Sequence, residues 1–224
     1  MKALVFDSGT LINLSMNGLL DTLETLKKKF NGKFLITKDV KYEIVDRPIG
    51  ISRFELGALR VQNLIDTGII EMPSSAGISD LDIEKRTKII EDIANHCVQI
   101  KGRWITIVSK AEMSCLALVD ELEKKGIESI IAIDERTTRM LSERPENMEK
   151  MMSEKMHHKV NINEQKLKAF SKYRFIRSSE LVFVAYKKGL INLQGKKVLE
   201  ALLYATKFKG AAISFEEINE LKRL

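Results

Sequence analysis

The sequence predicts an α/β fold: a three-layer α/β/α sandwich with a central, mainly parallel sheet. Short apolar runs without polar alternation, at residues 3–6 and 130–133, are typical of strands buried on both faces of a parallel sheet. Segments with helical spacing separate these runs, and alternation of strands and helices is typical of this fold class. No Pro- or Gly-rich linker divides the 224 residues, so we expect a single domain over residues 1–224.

Local signals predict the other elements. Turn formers, caps and breaks in periodicity set their limits. In chain order we expect a helix ending at Asn31-Gly32, a strand over 34–36, a helix carrying residues 40–45, a helix over 54–65, a third strand over 69–72, a loop over 73–79, a helix from 80 to about 99, a helix over 110–125, strands over 129–134 and 173–176, and C-terminal helices over 179–224. Within the last region, Gln194-Gly195 precedes a helix, and Ser214 with Glu217 forms a capping box for the final one.

A basic segment at about 143–172 is predicted to be a helical insertion, with a break between two helices at 161–163. From Arg144 to Arg177 there are nine Lys or Arg and four Glu, so nearly all of the positive excess of the chain lies here. Aromatic and basic residues are interleaved at its end, at Phe170, Lys172, Tyr173, Arg174, Phe175 and Arg177. Such a mixture can stack on bases and hold phosphates. The alternative, which we favour, is a solvated helical hairpin with its aromatic rings turned inward.

Composition limits the classes of function. The two cysteines, Cys97 and Cys115, form no C-x-x-C pair, and the three histidines have no metal-binding spacing. Any metal would therefore be held by carboxylates, which suit Mg²⁺ or Mn²⁺. The net charge of +6 and the pI near 9.2 allow a polyanionic partner, although a Lys- and Glu-rich surface is also found in thermophile proteins. No apolar stretch is long enough for a membrane span or a signal peptide, so we expect a cytoplasmic protein without a membrane partner.

Four acidic residues are the candidate site. Asp7 and Asp134 each end a predicted buried strand, and the carboxyl ends of parallel strands meet at the edge where α/β sheets bind ligands. Glu43 lies early in the helix after the second strand, and Glu112 lies in the helix that Ser109 begins. Each acid also has a structural interpretation, as a turn cap or an exposed helical residue. The recurrence of a strand ending in aspartate favours a site.

The order of these acids resembles that of the PIN-domain nucleases. The resemblance depends on V-F-D-S-G-T-L-I at residues 5–12, on Glu43 in V-K-Y-E-I, on S-K-A-E-M-S-C-L-A at 109–117 and on I-D-E-R-T-T-R at 133–139. V-A-Y-K-K-G-L-I at 184–191 is similar to the closing helix of one family branch. The chain departs from the family pattern at Lys110, where that branch often has Glu, at Glu135, which replaces a second Asp, and at Ala132 and Ile133, where a hydroxyl residue often precedes the fourth acid.

The resemblance implies a Mg²⁺- or Mn²⁺-dependent endoribonuclease. It implies Asp7, Glu43, Glu112 and Asp134 as catalytic residues, with Asp7, Glu112 and Asp134 binding a first metal and Glu43 bridging to a second or positioning water. Glu135 is an alternative ligand to Asp134. The hydroxyls of Ser8 and Thr10 could orient a metal-bound water. The expected RNA-binding residues are Arg136, Arg139, Lys172, Arg174 and Arg177, of which Arg136 and Arg139 could instead pair with nearby Glu.

Two other functions stay open. The first is a PIN-like RNA-binding or assembly module without catalysis, which Lys110, Ala132 and Ile133 slightly favour. The second, ranked a distant third, is a phosphatase of the haloacid dehalogenase type. Its D-x-D-G-T signature is similar to the opening of this chain, but only Ser8 lies between Asp7 and Gly9, so the second Asp is missing. The RNA could be single-stranded or structured, and a homodimer is also left open.

Overall fold

Four strands form a parallel central sheet in the order β2-β1-β5-β7. The computed structural model describes residues 1–193, 195 and 197–224. The strands of the chain are β1 Lys2–Phe6, β2 Gly32–Leu35, β3 Val98–Ile100, β4 Arg103–Trp104, β5 Glu128–Ala132, β6 Val160–Ile162 and β7 Phe175–Ile176. Each pairing in the central sheet is parallel, as predicted.

Twelve α-helices are found in the described part of the chain. They are α1 Ser8–Met16, α2 Asp21–Lys29, α3 Lys38–Lys41, α4 Ser52–Asp66, α5 Asp80–Asn95, α6 Lys110–Lys124, α7 Arg136–Glu143, α8 Met148–Met156, α9 Glu164–Leu167, α10 Ser178–Lys187, α11 Val198–Phe208 and α12 Phe215–Arg223. A π-helical turn, Tyr42–Asp46, follows α3 directly. Of the predicted Gln194-Gly195 pair, Gln194 lies outside the described residues.

The core lies between the sheet and its helices. Val5 and Phe6 of β1 are fully buried, and the Phe6 ring packs edge-on against Phe34 of β2 with centroids 5.3 Å apart. Helix α6 packs against β1 and β5, while α1 packs against α4 and α10. This α/β arrangement around a parallel sheet is consistent with a three-layer fold, and it explains why β1 and β5 lack polar alternation.

A second, three-stranded antiparallel sheet in the order β4-β3-β6 was not predicted. Strands β3 and β4 form a hairpin whose two turn residues, Lys101 and Gly102, have φ angles of 49° and 76°. Positive φ at both positions is typical of a type I′ turn, which matches the twist of the paired strands. The expectation of one helix from 80 to about 99 is therefore wrong at its end, because α5 stops at Asn95 and residues 98–100 form β3.

The insertion at 143–172 is only partly helical. Its predicted break at 161–163 falls on β6, which pairs with β3, and the Asn163 amide donates to the Cys97 carbonyl at 2.8 Å. The prediction of two helices separated by a break missed this strand because its pairing partner lies some sixty residues earlier in the chain. The insertion is thereby tied to the end of α5.

The predicted strand at 69–72 is also wrong. This segment makes an isolated parallel bridge between Glu71 and Leu35 instead of a strand. The Ile70 amide donates to the Leu64 carbonyl and so holds the chain against the end of α4, and Pro73 then begins a 3-10 turn. Both contacts limit the extended segment to a length too short for a strand.

Within the described residues, no helix is both long and apolar enough to cross a bilayer.

Candidate functional site

Asp7 and Asp134 follow the adjacent strands β1 and β5 at the carboxyl edge of the central sheet. Phe6 is paired in register with Ala132, and the Asp7 amide donates to the Ala132 carbonyl at 2.9 Å. The exposed fractions of the two aspartates are 3% and 4%. The parallel pairing of β1 and β5 thus brings two carboxyl groups to one edge, as the sequence predicts, and buries both.

Asp7 combines a structural contact with an unpartnered oxygen. Its Oδ2 accepts a hydrogen bond from the Gly9 amide at 3.0 Å and so caps α1, while its buried Oδ1 has no hydrogen-bond partner among the described residues. Burial, together with the charges of Glu112 and Glu43, raises the pKa of Asp7 to about 7, and the backbone hydrogen bonds oppose this effect. The capping interpretation is therefore correct but accounts for only one of the two oxygens.

Asp134 has the same division between its two oxygens. Its Oδ1 accepts from the Ser178 amide at 2.8 Å, at the beginning of α10, while its buried Oδ2 has no hydrogen-bond partner within the residues that the structure describes. Burial raises the pKa of Asp134, although the hydrogen bond from the Ser178 amide and the charge of Arg139 oppose this effect. An unpartnered carboxylate oxygen in the interior costs free energy unless a ligand or cation meets it.

Glu112 contributes a third carboxyl group from α6. It is part of a capping box with Ser109, and its Oε2 accepts from the Ser109 amide at 2.9 Å and from the Thr138 hydroxyl at 2.8 Å. Burial raises the pKa of Glu112, and the charges of Glu135 and Glu43 add to that effect. Glu135 itself caps α7 by accepting from the Thr138 amide at 2.7 Å. Thr138 therefore links the two glutamates at the start of α7.

Glu43 lies in the π-helical turn, half-buried, with its charge felt by both Asp7 and Glu112. Such turns are rare and are found frequently at functional sites, because the extra residue changes the direction of one side chain. The sequence predicted a helix at this position but not its π form.

At Lys110, one departure from the PIN-domain pattern changes the local charge. Its ammonium group pairs with Asp39 at 2.8 Å, on the neighbouring α3. A glutamate there would meet Asp39 as a like charge, so Lys110 reduces the number of acids at this edge.

Hydroxyl groups accompany the acids. Thr10 is fully buried and its Oγ1 has no partner, whereas Ser8 is half-buried. Sequence analysis missed Ser178 and Ser179, which begin α10 directly after β7 and are both fully buried, with the Ser179 hydroxyl unpartnered. A signal existed, since β7 ends at the same edge as β1 and β5, but serines before a helix are more commonly caps.

Asn13 and Cys115 were also missed. Asn13 is fully buried, donates to the Thr206 carbonyl at 2.8 Å and lowers the pKa of Asp134. Cys115 is buried beneath the acids, and desolvation together with the charges of Asp7 and Glu112 raises the pKa of its thiol well above the usual range. A protonated thiol at this position is a structural group and not a nucleophile.

The predicted RNA-binding residues separate into two groups. Arg136 is exposed and has no ion pair within the described residues, and Arg174 is exposed with Glu128 at 3.5 Å. Arg139 pairs with Glu143 at 2.9 Å, which was the stated alternative for it. Lys172 contacts the buried Asp120 at 2.6 Å.

Arg177 is a correction to the predicted interface. It is only 7% exposed, and its guanidinium pairs with Glu180 at 2.7 Å and with Glu217 at 2.8 Å. Phe170 and Tyr173 are buried as well, as the favoured interpretation expected. As placed, Arg177 supports the junction of α10 with α12 and is not available to an external phosphate.

The acids were tested for their fit to a metal ion. All the donors are oxygens, as Mg²⁺ and Mn²⁺ prefer, and one buried oxygen of Asp7 and one of Asp134 have no hydrogen-bond partner in the described part of the chain. In the described ranges, however, no three His, Cys, Asp or Glu side chains lie close enough together to hold a metal ion. Carboxylates without a cation repel one another, which favours their separation. The donor chemistry fits, and the side chains would have to converge on binding.

Comparison with protein-family models, with curated proteins and with solved structures finds no match to this chain. The fold and the residues at the sheet edge are therefore the basis for a functional interpretation.

Proposed function

We propose that the chain is a metal-dependent endoribonuclease that hydrolyses phosphodiester bonds at the carboxyl edge of the central sheet. The observation that supports this proposal is that two adjacent parallel strands end in buried aspartates, each with one unpartnered oxygen, and that the charges of Glu43 and Glu112 raise the pKa of Asp7. Burying this much negative charge is costly without a cation. The resemblance of the sequence to PIN-domain nucleases supports the same function.

Asp7, Glu112 and Asp134 would hold the metal, with Glu43 or Glu135 completing the set. A bound Mg²⁺ or Mn²⁺ would lower the pKa of a water molecule and stabilise the leaving oxygen. The chain itself contributes orientation. The Gly9 amide donates a hydrogen bond to one oxygen of Asp7, and the Ser178 amide donates to one oxygen of Asp134. These hydrogen bonds orient each carboxylate, whose other oxygen would bind the metal.

Two hydroxyl groups and one arginine would assist. Thr10 and Ser179 each present a buried hydroxyl without a partner, which can donate to a phosphate oxygen or accept from a water. Arg136 begins α7 immediately after the Asp134-Glu135 pair, and its exposed guanidinium can bind phosphate in a bidentate manner.

A second candidate function is an RNA-binding module without catalysis. The observation that favours it is the lack of a ready three-ligand group among the described residues, together with the Lys110–Asp39 pair. Such a module would bind RNA through exposed basic residues such as Arg136 and Arg174, with an affinity that falls with salt and does not depend on Asp7.

Mn²⁺ titration by calorimetry, followed by incubation with labelled single-stranded and structured RNA, separates the two. We compare the wild type with Asp7→Asn and with a control, Glu128→Gln. Glu128 is exposed and lies at the opposite end of β5 from Asp134. If the chain is a nuclease, the wild type and the control bind Mn²⁺ and cleave RNA. Asp7→Asn then reduces cleavage by at least about 100-fold, which is the largest loss usual for a residue that only orients a metal ligand. RNA binding without Mn²⁺ uptake or cleavage in the wild type selects the second function.

A further inference from the structure

An apolar groove of about 660 Å³ lies between α1, the π-helical turn and α4. Glu43 is part of its wall, so the groove is continuous with the carboxylate residues. The large apolar side chains that line the groove are exposed to solvent: Met16 is 59% exposed and Phe54 is 48% exposed. Contiguous exposed apolar surface of this kind marks a binding site.

Three arginines, Arg47, Arg53 and Arg60, line the groove and are exposed. None of them has a carboxylate within ion-pair distance in the part of the chain that the structure describes. The guanidinium of Arg53 lies over the Phe54 ring, with Cζ 4.4 Å from its centroid. A guanidinium plane held on an aromatic ring is a surface on which an unpaired base stacks.

A polar cleft of about 1010 Å³ lies between α7, α10 and the C-terminal helices. Its basic residues include Arg136, Arg144 and Lys207, and the first two are exposed without an ion pair among the described residues. Four glutamates also line the cleft, against five basic residues. Three of the glutamates are paired with the two other arginines, as Glu143 with Arg139 and as Glu180 and Glu217 with Arg177. The buried Arg177 forms part of its wall. This cleft contrasts with the groove in being polar, so it suits a phosphate backbone more than bases.

The strand order places these two surfaces on opposite sides of the acids. The π-helical turn with Glu43 comes after β2, Asp7 follows β1, Asp134 follows β5, and Arg177 with Ser178 follows β7. Along the carboxyl edge of the sheet, from β2 to β7, the groove therefore comes first, the carboxylates next and the cleft last. Three strand spacings separate β2 from β7, a distance of about 14 Å.

We infer that single-stranded RNA crosses the carboxyl edge of the sheet from the groove to the cleft. A base stacks on the Arg53–Phe54 pair, phosphates on the other side contact Arg136 and Arg144, and the phosphodiester between them lies at Asp7 and Asp134. This inference rests on the proposed function and specifies its substrate. Duplex RNA is excluded from this path, since its bases are stacked internally and cannot lie on the groove floor.

Charge favours a polyanion in the groove over a second copy of the chain. In a two-fold interface the same patch faces itself, so Arg47, Arg53 and Arg60 would oppose their own copies. Like charges at an interface are costly, whereas a phosphodiester strand neutralises them.

Fluorescence anisotropy in the Asp7→Asn background measures binding without cleavage. The probe is a labelled RNA of about 15 nucleotides without secondary structure, within the site sizes of single-strand binders. Two double variants, Arg53→Ala with Arg60→Ala and Arg136→Ala with Arg144→Ala, test the groove and the cleft separately. Phe54→Leu tests stacking, and Arg103→Ala is the control, because Arg103 is exposed, belongs to the second sheet and lines neither surface.

Each double variant is expected to weaken binding by about tenfold or more. The loss of Arg136 and Arg144 should also reduce the slope of log K against log salt by about 1.4, as two lost phosphate contacts predict for a single strand. Phe54→Leu is expected to weaken binding by about fivefold or more. Arg103→Ala leaves the affinity unchanged, and a duplex of the same sequence binds more weakly than the single strand.

Unchanged affinity in either double variant would overturn the path. Light scattering that reveals a wild-type dimer, dissociated by Arg53→Ala with Arg60→Ala, would instead assign the groove to a second copy. The proposed function fails separately. If both double variants retain cleavage that depends on Asp7, the nuclease function is supported and the RNA path is rejected. If RNA binding requires both surfaces but no cleavage is found, the path is supported and the nuclease function is rejected.

Discussion

Asp7→Asn should stabilise the metal-free protein, and increasingly so at higher pH. The folded chain holds a proton on Asp7 up to about pH 7, whereas the unfolded chain releases it near pH 3.8. Between these values the unfolded state binds fewer protons, so the free energy of unfolding falls as pH rises. A pKa shift of this size lowers the free energy of unfolding of the wild type by about 4 kcal/mol at pH 8 and by about 2 kcal/mol at pH 5. Asparagine has no charge to bury and still caps α1.

Urea unfolding of wild type and Asp7→Asn in EDTA, at pH 5 and pH 8, measures this effect. The difference between the two proteins should widen by about 2 to 3 kcal/mol from pH 5 to pH 8, or by about 8 °C in melting temperature for a chain of this length. Any fixed cost of an unpaired amide group cancels in that comparison. Glu128→Gln, at an exposed position, should show no such widening. A difference between wild type and Asp7→Asn that is the same at both pH values would refute the argument that burial raises the pKa of Asp7.

Two further substitutions test the packing of the fold away from the candidate site. Asp120→Asn should destabilise the chain by about 2 kcal/mol, because the buried Asp120 accepts from Arg86 at 2.5 Å and from Lys172 at 2.6 Å. Its loss removes the partner of the partly buried Arg86, whereas Lys172 keeps its contact with Glu123 at 3.1 Å. Urea unfolding checks it, and a loss below 1 kcal/mol, on the order of a surface pair, would contradict it. Gly32→Ala should cost about 1 to 3 kcal/mol, because a Cβ there would overlap the Lys2 carbonyl across the β1–β2 pair. A melting temperature unchanged from that of the wild type would be inconsistent with this close approach.

Much of the central sheet could be predicted from local sequence. The apolar runs that end at Asp7 and Asp134 predicted β1 and β5, and the parallel pairing of the two strands then followed from the general rule for buried strands. Ser109 and Ser214 predicted helix starts that the structure confirms as capping boxes. These features depend on residues within a few positions of one another, so the sequence contains the whole signal.

The candidate site was predictable only in part. Asp7, Glu43, Glu112 and Asp134 were predicted from the sequence, and the structure places Asp7 and Asp134 just after two adjacent parallel strands. Ser178 and Ser179 were missed, because their proximity to Asp134 depends on β7 pairing with β5. Arg177 was assigned to RNA because a basic residue beside aromatic ones looks exposed in sequence. Its burial depends on Glu217, forty residues away.

The sequence by itself determined the fold class, the strands that end in aspartate and the helices with strong caps. Tertiary structure alone decided the second sheet, the π form of the turn that carries Glu43 and the division of the basic residues into exposed and paired groups. The physical reason is the range of the interactions. Periodicity and capping act within a helical turn or a strand, whereas the β3–β6 pairing and the Arg177 ion pairs join segments that are distant in the chain. The energy of such contacts becomes available only after the chain has closed the loops between them.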